Sequence, residues 1–144
     1  MSDDSHAQAE PRVCEDMAER DFNRFGETMD LDFDKKHMDA EDKQGFDDMK
    51  RRIVEALKRG SLVINDNGCP EFTPTMEPDA KPIVFNEPTG AALKATDTKK
   101  KDHDVEKTLA FAAAITGENQ SRFDAMKQRD LKVVLAITGL YLGG

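Results

Sequence analysis

Apolar positions in this chain recur at helical spacing near its beginning and throughout its second half, with a strand-like stretch between. Between Pro11 and Met29, Val13, Met17, Phe22, Phe25 and Met29 step at roughly helical intervals, and Pro11 is placed for a first turn. From about Asp39 to Arg59, Phe46, Met49, Ile53 and Leu57 form one stripe, with acids crowding the start. Lys58, Arg59 and Gly60 then supply a basic last turn and a glycine stop. After Gly60 the period shortens. Leu62, Val63 and Ile64, then Asp66, Asn67 and Gly68, then Glu71, Phe72 and Thr73 predict a β-hairpin. Pro70, Pro74, Pro78 and Pro82 limit further pairing, because proline donates no ladder hydrogen bond, and Ile83, Val84 and Phe85 predict one more short strand.

From Thr89 the helical period returns in pieces at about 89–96, 103–116 and 119 to the C-terminus, with a break near Gln128. Asp102 or Asp104 is placed to cap the middle piece, where Val105, Leu109 and Ala112 or Ala113 align and Phe111 and Ile115 widen the face. In the last piece Asp130 precedes Leu131, Val134, Leu135, Thr138 and Leu142 on one face. The expected fold is α+β and mainly α: N-terminal helices, a small β-hairpin or short sheet, and a C-terminal helical bundle. Residues 1–11 bury almost nothing and are expected to be a disordered acidic tail, 12–60 an acidic helical extension, and 61–144 the β-hairpin and helical domain.

Charge sharpens this division. The 144 residues carry a formal net charge of -8, and residues 1–60 hold 17 acidic against 11 basic side chains. An acidic surface argues against nucleic acid as a partner. No apolar run reaches the length that spans a bilayer, and MSDDSHAQAEPR lacks the basic-then-apolar order of a signal peptide, so no membrane association and a cytoplasmic location are expected. Cys14 and Cys69 are too few and too far apart for a disulfide framework and are read as reduced thiols.

Candidate chemistry is sparse. Asp30, Asp32, Asp34 and Glu41 match positions of a calcium-binding EF-hand loop and are the candidate metal ligands. Lys35, however, stands where that loop needs glycine, and His37 where it carries an apolar residue, so a solvated acidic connector is the expected state. His6, His37 and His103 lie in polar surroundings, and no nucleophile, base and acid converge in the sequence, so no enzymatic activity is expected. Two distant cysteines do not make a zinc site, Gly90 stands outside any phosphate-loop or dinucleotide pattern, and Lys99, Lys100 and Lys101 read as an exposed loop. No cofactor is expected.

The final segment is more apolar than one stripe requires, with Leu131, Val133, Val134, Leu135, Ala136, Ile137, Leu140, Tyr141 and Leu142 on more than one face. Two explanations stand: a partner-binding surface centred on Leu135, Leu140, Tyr141 and Leu142, or a central helix covered on several sides.

From Lys81 onward the order of elements resembles the tail assembly chaperones of tailed bacteriophages. The likeness rests on a strand running into Glu87, Pro88 and Thr89, a charged loop, the helix DVEKTLAFAAAITG ending at Thr116 and Gly117, a short segment with Phe123 and Met126, and RDLKVVLAITGLYL with Asp130, Tyr141 and Leu142. It covers residues 81–144, while residues 1–60 depart from it. The resemblance implies a protein that binds the tape measure protein during tail assembly, without ATP and without entering the mature particle. The alternative is an acidic phage or bacterial inhibitor that occupies a basic surface of a partner protein, which the charge of residues 1–60 suits. A calcium-responsive or hydrolytic module is a third class, carried only by Asp30, Asp32, Asp34 and Glu41.

Overall fold

A computed structural model describes residues 14–77, 79–97 and 104–143. The expected tail at 1–11, together with Val13, His103 and Lys99–Lys101, lies outside the described residues. Helix α1 runs Glu15–Thr28 and α2 Ala40–Arg59, joined by a connector with a single 3-10 turn at Lys35–His37. Strands β1 (Leu62–Ile64), β2 (Pro70–Phe72) and β3 (Ile83–Val84) follow, then α3 (Gly90–Asp97), α4 (Asp104–Thr116), the short α5 (Gln120–Asp124) and α6 (Gln128–Gly143). This is the mainly helical α+β architecture that the pattern predicts.

The ends of α2 form by local chemistry. The Asp39 carboxylate accepts a hydrogen bond from the Asp42 amide at 2.8 Å, satisfying one of the first-turn donors, and Gly60 closes the helix at φ 82°. The strands make one antiparallel sheet in the order β1-β2-β3, with Leu62 opposite Phe72 and Phe72 opposite Ile83. In the β1–β2 turn the Asn65 side chain accepts from the amides of Asn67 and Cys69, and Gly68 adopts φ +80°. That turn needs glycine because an L side chain is strained there. The outer edge of β1 is partly closed by Arg24, whose guanidinium donates to the carbonyls of Ile64 (2.7 Å) and Asn65 (2.9 Å).

The buried face of α1 runs Ala18, Phe22, Phe25 and Met29, whereas Met17, expected on that face, is exposed. A helical period of 3.6 allows the stripe to start one residue later, at the fully buried Ala18. Val105 of α4 is likewise exposed, and Leu109, Phe111, Ala112 and Ile115 face inward. Phe33, in the connector, stacks on Phe22 at 4.8 Å and lies 5.2 Å from Phe46, so three rings clamp α1 to α2.

Residues 14–60, the described part of the expected extension at 12–60, are not a separate layer. Phe22, Phe25, Ile53 and Leu57 belong to the same continuous core as Phe72, Phe85, Phe111, Phe123 and Ile137. Helix α6 packs against both α2 and α4, and its contact with α2 is the most extensive between any two elements. Gly139 of α6 permits part of this approach: a Cβ there would sit 2.7 Å from the Met49 sulfur. The expected boundary at residue 60 therefore marks a change of secondary structure and charge, with the hydrophobic core running across it.

Candidate functional site

The four α6 residues expected at a partner surface separate into two pairs. Leu140 and Tyr141 are buried; Leu135 is partly buried and Leu142 is 40% exposed. The Tyr141 hydroxyl donates to the Phe85 carbonyl at 2.9 Å, and its ring meets Phe25 edge-on at 5.4 Å. Burial pushes the Tyr141 phenol well above its usual pKa, with the neighbouring Cys69 and Glu87 adding to the shift. Leu140 and Tyr141 thus serve the core, and the apolar circumference that suggested a docking surface there is explained by packing. Helical geometry places the buried Val134, Ala136, Ile137, Thr138, Leu140 and Tyr141 over an arc of roughly 200°. The remaining arc holds Leu131, Leu135 and Leu142 within about 40° of one another, a half-covered apolar stripe.

Further large apolar side chains stand out on the neighbouring helices: Leu93 on α3 is 52% exposed and Val105 on α4 is 56% exposed. Helices α3 and α4 pack on each other, and α4 packs on α6.

The acidic connector takes a form of its own. Asp30 sits at φ 55°, Asp32 accepts from the Asp34 amide at 2.9 Å, and Asp34 caps the 3-10 turn by accepting from Lys36 at 2.9 Å. Lys35, at the place of the EF-hand glycine, forms an ion pair with Asp47 at 2.6 Å. Asp32 and Asp34 each hold a backbone amide two residues on, the local turn habit of aspartate. Among the described residues no group of three or more His, Cys, Asp or Glu side chains converges as a metal cage. Cys14 is an exposed thiol and Cys69 a buried one, its pKa raised by burial.

A polar centre that the sequence does not announce lies at the start of α6. Asp130 is 2% exposed, and its carboxylate accepts from the Thr75 amide (2.9 Å), the Thr75 hydroxyl (2.8 Å) and the Met76 amide (2.9 Å). Three donors compensate the desolvation of a buried charge, and the position in the first helical turn adds the favourable end of the helix dipole. Arg122 of α5 holds the same loop farther on, donating to Glu118 (2.9 Å), Glu77 (3.1 Å) and the Lys81 carbonyl (3.0 Å). Burial alone would lower the Arg122 pKa; Glu118 and Glu77 more than offset this and raise it.

The loop so fixed forms one lip of a cleft of about 780 Å³ between the second half of α2 and the first turns of α6. Arg51, Arg52 and Arg59 of α2 and Arg129 and Lys132 of α6 line it, with Phe72, Ala56 and Val133 as its apolar floor. In a chain of net charge -8 this is a local reversal of sign. Its two parts lie some seventy residues apart in sequence, and no spacing rule links them; the one available hint is that basic residues gather at the end of α2 and the start of α6.

Comparison with protein-family models, with curated proteins and with solved structures finds no match to this chain. Among the described residues no helix is long and apolar enough to cross a membrane.

Proposed function

We propose that the protein is a non-enzymatic assembly chaperone of the tailed-phage type that residues 81–144 resemble, holding apolar helical segments of the tape measure protein in the host bacterial cytoplasm until the tail assembles. The observation that supports this best is the set of large apolar side chains left open on the helices of that same region. Leu142, with the half-covered Leu131 and Leu135, forms a stripe on α6, and Leu93 and Val105 project from α3 and α4. The α6 stripe, whose members stand four and seven residues apart, suits an amphipathic helix laid along it, since a helical ligand presents its own anchors every three or four residues. In this reading Leu135 and Leu142 belong to the partner surface, and the buried Leu140 and Tyr141 support it from below.

The test is co-expression with the tape measure protein, scored by how much of that protein stays soluble. Leu142→Asp and Leu93→Asp leave the melting temperature of the chaperone unchanged and lower recovery of the partner. Full recovery with both variants, or no gain in recovery from the unaltered protein, contradicts the reading. A second reading, an acidic inhibitor of a basic protein surface, draws on the connector and the first turn of α2, where Asp32 and Asp34, then Glu41 and Asp42, stand exposed. In that case Asp42→Lys removes binding and Leu142→Asp does not.

A further inference from the structure

The cleft between α2 and α6 carries five cationic side chains against two acidic ones, Glu55 and Asp130. Asp130 is almost fully buried and both its oxygens accept from Thr75 or Met76, so it makes no ion pair with the cleft cations and leaves them in excess. Glu55 is drawn toward Lys58 (3.6 Å) and Arg59 (3.9 Å) on its own helix. Arg51 has a single long pairing with Asp48 at 3.5 Å, an exposed contact of the kind that contributes little. Among the described residues Arg52, Arg129 and Lys132 have no ion-pair partner. Cations gathered on two facing walls repel one another, and a fold keeps that arrangement at a cost unless an anion relieves it.

We propose that this cleft binds a compact oligophosphate anion, a chain of two or more linked phosphate groups lying between the α2 and α6 walls. Charge and reach select this class. Arg51 and Arg59 are eight residues apart on α2, about 12 Å of rise between their backbones, and Arg129 and Lys132 stand on the other wall, so a short phosphate chain meets more of these cations at once than a single phosphate does. Four of the five cations are arginines, whose planar fork matches phosphate oxygens in pairs. The volume lies within the range of small-ligand sites. A long polyanion such as nucleic acid meets the net negative charge of the rest of the surface within about a Debye length, roughly 10 Å, while a compact one meets only the local cations.

Calorimetric titration of the full chain with inorganic tripolyphosphate at low salt tests this. The proposal expects one site, weakened by about tenfold in Arg52→Gln and in Arg129→Gln and unchanged in Lys94→Gln, an exposed cation outside the cleft. Melting curves confirm that the variants stay folded. ATP in parallel distinguishes the source: equal binding assigns recognition to the phosphate chain, tighter binding adds a contact to the nucleoside, and both keep the site. Absence of binding heat, equal loss in Lys94→Gln, or citrate binding as tightly as tripolyphosphate overturns the proposal.

Discussion

Helices α2 and α6, the two longest, answer the same question in opposite ways. Helix α2 is amphipathic: Phe46, Ile53, Val54 and Leu57 turn inward while Glu41, Asp47, Arg51 and Glu55 face water. Helix α6 has apolar residues around most of its circumference and a buried arc to match, because α2 and α4 both lie against it. A single stripe on a helix therefore reads as an outer layer, and apolar residues all round read first as a central position. Only the narrow arc of Leu131, Leu135 and Leu142 is left over for anything else.

That contrast breaks most directly at Ile137, which is fully buried. Ile137→Ala is expected to cost about 2 to 5 kcal/mol in denaturant unfolding, because α6 has neighbours on too many sides to collapse into the void. A cost below about 1 kcal/mol would place α6 at the periphery.

Asp130→Asn comes next, at about 1 to 3 kcal/mol, since an amide cannot accept at both of its atoms and leaves the Thr75 or Met76 amide without a partner. The same variant should speed proteolysis in the loop around residue 75, which Asp130 holds from 54 and 55 positions away.

Leu142→Ala is expected to change stability by no more than about 0.5 kcal/mol, as for an exposed side chain. A large loss there would mean that the outer arc of α6 is also core, and would remove the surface on which the proposed chaperone role depends.

The sequence was most legible where structure is local. The start of α2 near Asp39, the Gly60 stop and the turn around Asn67 and Gly68 all depend on a few neighbouring residues, and each stands where the pattern predicts it; the cap that the Asp39 side chain makes is a detail the structure adds. Faces of helices were legible to within a residue or so. Met17 and Val105 fell on the wrong side because neighbouring positions differ by only 100° and tertiary neighbours decide between them. What pattern alone could not supply was anything made by distant segments: the joining of α1 and α2 to the core, the Thr75 and Met76 amides on Asp130, and the two walls of the cationic cleft. The burial of Leu140 and Tyr141 belongs to the same class, since a helix does not record in its own sequence how many others cover it. The acidic connector is legible in composition, and the carboxylates of Asp32 and Asp34 serve the backbone of their own turn.

Helix α6 lies at the centre of one core shared by both halves of the chain, and Tyr141 reports on that position directly. The protein has one tyrosine and no tryptophan, so absorbance of the phenolate follows that residue alone. Its ring is packed on Phe25 and its hydroxyl is bonded to the Phe85 carbonyl, with the phenol pKa raised by burial from its ordinary 10.0. A raised pKa in the folded state means that stability is intact below pH 10, the ordinary value, and declines as pH rises above it, because the unfolded chain then loses a proton that the folded chain retains. In an alkaline titration followed by phenolate absorbance and circular dichroism together, phenolate should fail to form at the ordinary tyrosine pKa and should appear only as helicity is lost. A phenolate midpoint near pH 10 with helicity fully retained would place Tyr141 at the surface and contradict a central α6.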